Sequence, residues 1–352
     1  MPIRPLQADI LTILRGKGND MSNSVVRRIT ERAVALNKKI VLPESDDVRV
    51  LEAAQEITRR KYARVTLLGN PGAIVAKAKG AGYDLSGVEI VDHMVDENRA
   101  QYVELLHQRR RQKGMSRLDA DELLKRTVYY GGMMVGDKRV DGMVVGSICP
   151  TRDTVRSGLF GVGLSEGNKT VSACSVMNTI IPEIGVDGSV IFADTGVVPE
   201  PTTDQLADIA IAAAGACRQL LGVEPYVAML SFSTKGSAYS PAVQKVIDAT
   251  KLAQQRRPDL NIDGELQLDA AIVPSVADRK AKGSSVAGRA NVLVFPDLSC
   301  GNIGYKLAER IGKATALGPL LMGLARPVND LSRGCSVEDI VLITAITALQ
   351  SV

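Results

Sequence analysis

From Asn23 onward, short apolar runs recur along the chain, each separated from the next by a stretch with helical patterning. Lys39-Ile-Val-Leu42, Val65-Thr-Leu-Leu68, Gly142-Met-Val-Val145, Ser189-Val-Ile-Phe192, Tyr226–Leu230 and Asn291–Phe295 carry no polar alternation. Runs this short and this uniformly apolar are strands buried on both faces, the pattern of parallel sheets. Parallel neighbours need a crossover of about a dozen residues or more. The intervening spans supply it, with helices expected over 47–61, 97–113, 120–130, 202–221, 241–255, 302–311 and 337–349. The expected fold is α/β with mainly parallel sheets.

At 352 residues the chain is long for one hydrophobic core and comfortable for two. Aromatic residues are 3% of it and Trp is absent, so the core must rest on Ala, Val, Ile and Leu. A net charge of +4, with basic residues scattered and few aromatics among them, argues against a nucleic-acid surface. The five cysteines (149, 174, 217, 300 and 335) form no CxxC pair, the pattern of reduced thiols in a cytoplasmic protein. The two histidines, His93 and His107, stand apart from any plausible nucleophile, so neither a Ser-His-Asp triad nor a His-rich metal site is expected. No apolar run approaches the ~20 residues that span a bilayer, so no membrane partner is expected. Residues 1–20 read as an extension, with Leu6, Ile10, Ile13 and Leu14 at helical spacing before Arg15-Gly-Lys-Gly-Asn-Asp20 breaks the pattern. It is either a leader or docked helix, or a short partner-binding or targeting segment.

The most informative stretch runs from Arg326 to Asp339. Ser336-Val-Glu-Asp339 has the form of a capping box, with Ser336 as N-cap and Asp339 at N3. Ser332 and Arg333 lie just ahead of it, on a turn marked by Asn329-Asp330 and Gly334. A guanidinium, a hydroxyl and free N–H groups at a helix start form an anion site. A carboxylate beside them can remove a proton from an incoming nucleophile. The loop Pro150–Arg156 follows a strand and offers Thr151, Arg152, Thr154 and Arg156; it is either a ligand loop or a solvated turn with a capping Thr or Asp153. Ser231–Ser237, with Lys235 and Gly236, has the same character. Arg109-Arg-Arg111 on the charged helix is usually a solvated face, and since three adjacent residues cannot all point one way, at most one or two of them are functional. The Gly-rich fragments at 69–72 and 80–82 match neither dinucleotide nor P-loop signatures. Asp263, Glu265 and Asp269 hint at a divalent metal, or more simply at a strand's wet edge and a helix start.

Seven segments together resemble the phosphate acetyltransferase/butyryltransferase family. They are Leu42-Pro-Glu-Ser45, Phe192-Ala-Asp-Thr-Gly196, Ser233-Thr-Lys-Gly-Ser-Ala238, Asp263-Gly-Glu-Leu-Gln267, Phe295-Pro-Asp-Leu298, Gly301-Asn-Ile-Gly-Tyr-Lys306 and Pro327-Val-Asn-Asp-Leu-Ser-Arg-Gly-Cys335. The resemblance covers Val25 to Leu349 and is to the short, catalytic-domain-only form. It implies two α/β domains with the active site in the cleft between them, the C-terminal segment rejoining the first: residues 21–165 with 324–352, and 166–323. It also implies a homodimer with coenzyme A as a substrate and no cofactor. Carried over by motif, the catalytic set falls on Ser332, Arg333 and Asp339, and the substrate-binding set on Arg156 and Arg110, with Thr151 and Thr154 beside them. Ser157 replaces a Pro found in some members, and Arg152 stands where small hydroxyl residues are usual.

The implied activity is reversible transfer of an acetyl group between acetyl phosphate and coenzyme A. Propionyl or butyryl transfer and a non-catalytic acyl-CoA-sensing module are the alternatives. An intact Ser332, Arg333 and Asp339 weighs against the sensor. A metal- and NAD-dependent dehydrogenase of the isopropylmalate type lacks a convincing metal cluster.

Overall fold

The computed structural model describes residues 24–352. The expected extension at residues 1–20 lies outside the described residues. The strands are β1 (Lys39–Leu42), β2 (Arg64–Leu68), β3 (Glu89–Val91), β4 (Gly142–Val145), β5 (Ser172–Asn178), β6 (Ser189–Ala193), β7 (Tyr226–Leu230), β8 (Asn261–Leu266), β9 (Val292–Val294), β10 (Thr315–Met322) and β11 (Val328–Asp330). They form two sheets, ordered β11-β4-β1-β2-β3 and β10-β5-β6-β9-β7-β8. The first is wholly parallel. In the second, β6, β9, β7 and β8 run parallel, while β5 and β10 are antiparallel additions at one edge. The mainly parallel α/β architecture expected from the apolar runs is therefore present. Strands β5, β8 and β10 escaped that reading because Ser, Asn, Gly and Pro interrupt their apolar character.

The first sheet takes β1 to β4 from the front of the chain and β11 from near its end, whereas the second draws only on residues 172–322. The helix Val337–Gln350 joins them. Ile340, Val341, Ile343, Thr344, Ala345, Ile346, Thr347, Ala348 and Leu349 are all buried, so the helix is apolar on nearly every side. It packs on the Ser24–Leu36 and Val48–Arg60 helices and β4 of one half, and on the Thr203–Leu221 helix and β10 of the other. Thr344 and Thr347 satisfy their hydroxyls on the carbonyls of Ile340 and Ile343. Asn329 completes the junction, accepting from the Leu321 amide at 2.9 Å and donating to Thr347 Oγ1 at 2.8 Å.

Three local expectations are corrected. The helix expected over 120–130 is two helices, Arg117–Leu123 and Thr127–Gly136. The break persists because Arg99 and His93 capture the carbonyls of Leu124 and Lys125 that the helix end leaves free. The loop expected at 150–156 is the start of a helix, Thr151–Gly161, with Pro150 before it and Asp153 in its first turn. Gly161 in this helix allows close approach, since a Cβ there would collide with the backbone of Gly132 in the neighbouring helix. Finally, Asn329-Asp330 is strand rather than turn, because pairing with β4 and side-chain partners outweigh poor strand propensity.

Candidate active site

Strands β11, β4 and β1 are adjacent and parallel, so the loops at their carboxyl ends meet, as open α/β sheets require of a ligand site. Glu44, just past β1, organises the loop after β4. Its Oε2 accepts from the Gly146 and Ser147 amides, both at 2.7 Å, and from Ser147 Oγ at 2.9 Å. Its Oε1 accepts from the amides of Ile148 at 3.1 Å and Cys149 at 2.7 Å. Gly146 adopts φ +116° and lies so close to Asp330 and Leu331 that a side chain would not fit.

Asp330, at the end of β11, is buried and receives the hydroxyl protons of Thr151 at 2.6 Å and Thr154 at 2.7 Å. Burial pushes its carboxyl above the ordinary range, and the two hydroxyls pull the other way. Thr154 is fully buried, so the substrate contact expected of it is corrected: it holds Asp330 from behind the site. Thr151 is exposed, but its hydroxyl proton is likewise committed to Asp330.

Beyond β11 the chain turns through Ser332–Cys335 into the C-terminal helix. This turn forms one wall of a cleft of about 300 Å³, through Ser332, Gly334, Cys335 and Asp339. The facing wall is Tyr305, Lys306, Glu309 and Arg310 of the Leu298–Arg310 helix, with Ala316–Pro319 of β10. The capping box is present as expected: Asp339 Oδ2 accepts from the Ser336 amide at 2.8 Å and Ser336 Oγ at 2.9 Å. Its other oxygen has no hydrogen-bond partner among the described residues. Asp339 is thus at once a helix cap and a half-buried carboxylate facing the cleft. Ser332 is exposed and accepts from the Gly334 amide at 3.3 Å. Arg333 is exposed, and neither it nor Lys306 has an ion-pair partner among the described residues.

Arg110 and Arg156 form a second cluster, not part of this cleft's lining. Both guanidiniums lie over the Phe160 ring, at 4.2 and 5.3 Å from its centroid. Neither has an ion pair among the described residues, and Arg110 Nε is buried without a partner. Asp153, one turn before Arg156, is taken by Arg126 at 2.6 Å and by the Tyr129 hydroxyl at 2.9 Å. Two uncompensated guanidiniums on one ring form a cradle for an anion. The Thr154–Asp330 bond ties the helix bearing Arg156 to the strand that leads into Ser332.

Other candidate sites resolve into scaffold. Lys235 pairs with Asp263, and Ser233 donates to Glu265 at 2.9 Å, so two of the motif segments bind each other. Asp269 pairs with Lys280 at 3.0 Å. Among the described residues, no group of three or more His, Cys, Asp or Glu is placed to hold a metal ion, and no helix is long and apolar enough to cross a membrane. The buried thiols and the half-buried Cys149 are poor nucleophiles: desolvation pushes Cys149, Cys174 and Cys217 up to about 12, and Cys335 up to about 11.

Residues 24–348 match the sequence profile of the family described as phosphate acetyl/butaryl transferase. The chain belongs to that family. Phosphate acetyltransferases of Acetivibrio thermocellus and Thermoanaerobacterium thermosaccharolyticum are 50% and 47% identical to it, over 93% of this chain and 98% and 99% of theirs. The solved EutD phosphotransacetylase from Staphylococcus aureus superposes with a TM-score of 0.86 at 41% identity, covering 95% of this chain and all of that one. Within this phosphate acetyl/butaryl transferase, Glu44, Arg49, Asp330 and Lys306 are the residues that motif reading passed over. Glu44, Asp330 and Lys306 sit inside matched segments, but only the fold gives Glu44 and Asp330 their partners and sets Lys306 on the cleft wall.

Proposed function

We propose that the chain is a phosphate acetyltransferase, converting acetyl phosphate and coenzyme A to acetyl-CoA and phosphate, and the reverse. The observation that carries this reading is Asp339, a half-buried carboxylate with one free oxygen, sharing with Ser332 one wall of a cleft whose facing wall carries the unpaired Lys306. In this reading Asp339 takes the thiol proton, raising the thiolate fraction of a group whose ordinary pKa is about 8.5. The sulfur attacks the acetyl carbonyl carbon, the C–S bond forms, and the C–O bond to phosphate breaks with its electron pair leaving on phosphate. Ser332 and Arg333 stabilise the negative charge that develops on the carbonyl oxygen and the leaving group, and Arg110 and Arg156 hold the phosphate. An acyl phosphate is already activated, so direct transfer between two bound substrates suffices and no acyl-enzyme is needed.

The expected division into residues 21–165 with 324–352 and 166–323 belongs to this reading, supported by how the two sheets draw on the chain. A homodimer does too. Ile303 and Leu307 on the helix that walls the cleft, with Ile311 just past its end, recur every four residues and are 58%, 51% and 75% exposed. A solution mass of one chain would remove the dimer. The functional test is acyl-CoA formation from coenzyme A and a panel of acyl phosphates, with Asp339→Asn alongside. Turnover on acetyl phosphate should fall about 10²-fold in that variant, with the KM for coenzyme A within a few-fold. Near-normal turnover with a lower melting temperature would reduce Asp339 to a helix cap.

A further inference from the structure

We propose that Arg49 is a positioning residue for the transfer reaction, orienting both Ser332 and Asp339 through the backbone of the turn between them. The proposal rests on reading the Ser332–Asp339 cleft as the acyl-transfer site. Arg49 lies in the first turn of the Val48–Arg60 helix, and Asp47, the N-cap of that helix, grips its guanidinium through both carboxylate oxygens. The carboxylate fixes the direction in which the remaining N–H groups point. Nη2 donates to the Ser147 carbonyl at 3.0 Å, in the loop after β4. Nη1 donates to the carbonyls of Arg333 at 3.0 Å and Cys335 at 2.8 Å.

Those two carbonyls belong to peptide planes whose other ends face the proposed catalytic groups. In a trans peptide, C=O and N–H point in opposite directions. Drawing the Arg333 carbonyl toward Arg49 therefore turns the Gly334 N–H away from it, and that N–H donates to Ser332 Oγ at 3.3 Å. Drawing the Cys335 carbonyl the same way turns the Ser336 N–H outward, and that N–H donates to Asp339 Oδ2 at 2.8 Å. One guanidinium thus sets the orientation of both side chains without touching either. A lysine cannot substitute, because a single ammonium lacks the planar fork that reaches a carboxylate and three carbonyls together.

The test uses the full chain carrying Arg49→Lys or Arg49→Met. Acetyl-CoA formation is measured per folded molecule. Iodoacetamide labelling is read at Cys335 by peptide mass spectrometry, since the thiol is buried beside Arg49 Nη1 at 3.8 Å and reports whether the turn holds. The expected result in each folded variant is a kcat at least about tenfold lower, as for misplaced catalytic groups, with the KM for coenzyme A within about threefold. Cys335 should label several-fold faster. An unchanged kcat, an unchanged labelling rate, or a loss confined to KM would each overturn the proposal. So would failure of both variants to fold, since a group that only holds the site is not needed to form the chain's core. A wild-type protein that forms no acetyl-CoA would instead sink the functional reading before any variant is compared, and Cys335 labelling would still report whether Arg49 holds the turn.

Discussion

Glu44→Gln is the sharpest test of how the site is held. The substitution keeps volume and shape but turns one acceptor oxygen into an NH2 donor. The glutamine oxygen will face the Oε2 side, where the Gly146 amide, the Ser147 amide and Ser147 Oγ all donate. Its NH2 then confronts the amides of Ile148 and Cys149, two donors with nothing to receive them. A buried donor left unmatched costs roughly 1–3 kcal/mol. These two are only partly buried, so about 1–1.5 kcal/mol each is reasonable, or ~2–3 kcal/mol together. In a chain of this size, with an unfolding entropy of about 2 cal/mol/K per residue, that lowers the melting temperature by about 3–4 °C. Activity should fall as well, because the loop feeds the Thr151–Gly161 helix, which carries Arg156 and the threonines that bind Asp330. Differential scanning calorimetry and steady-state turnover measure the two effects. A variant melting within about a degree of wild type, with unchanged turnover, would show that the carboxylate does not organise the loop.

Arg110→Ala and Arg156→Ala should each weaken acetyl phosphate binding by about 1.5–3 kcal/mol, roughly ten- to a hundredfold in KM; unchanged constants would remove both from the phosphate site. Cys335→Ala should keep most activity, because burial holds that thiol near 11 and leaves a thiolate fraction on the order of 10⁻⁴ at neutral pH; a folded variant without turnover would reopen an acyl-cysteine route. Burial alone would raise the Asp47 carboxyl, but the hydrogen bonds of Arg49 outweigh it and hold the group below its ordinary 3.8. Its contribution to stability is therefore full above that value and is lost as pH falls through the lower folded value. Urea unfolding between about pH 7 and pH 3 should show wild type losing its advantage over Asp47→Asn only at the acid end, and a constant difference would contradict this.

Much of this protein is written locally. The apolar runs of β1, β2, β4, β6, β7 and β9 announce a parallel sheet because each is buried on both faces. Ser336 and Asp339 announce a helix start because a capping box closes within four residues. The seven motif segments give the family by themselves. What the linear order does not contain is partnership. Glu44 meets amides more than a hundred positions away, and Arg49 reaches carbonyls 284 and 286 positions away. Thr154 looked like a ligand contact because exposed hydroxyls after a strand usually are; only the pairing of β11 beside β4 puts Asp330 over it and buries it. Gly161 lets the backbone of the Thr127–Gly136 helix approach, a contact that no local pattern announces. Local sequence fixes periodicity and caps because those depend on neighbours within a turn or a strand. Which buried donor satisfies which acceptor depends on strand order, and that is decided when distant segments pack.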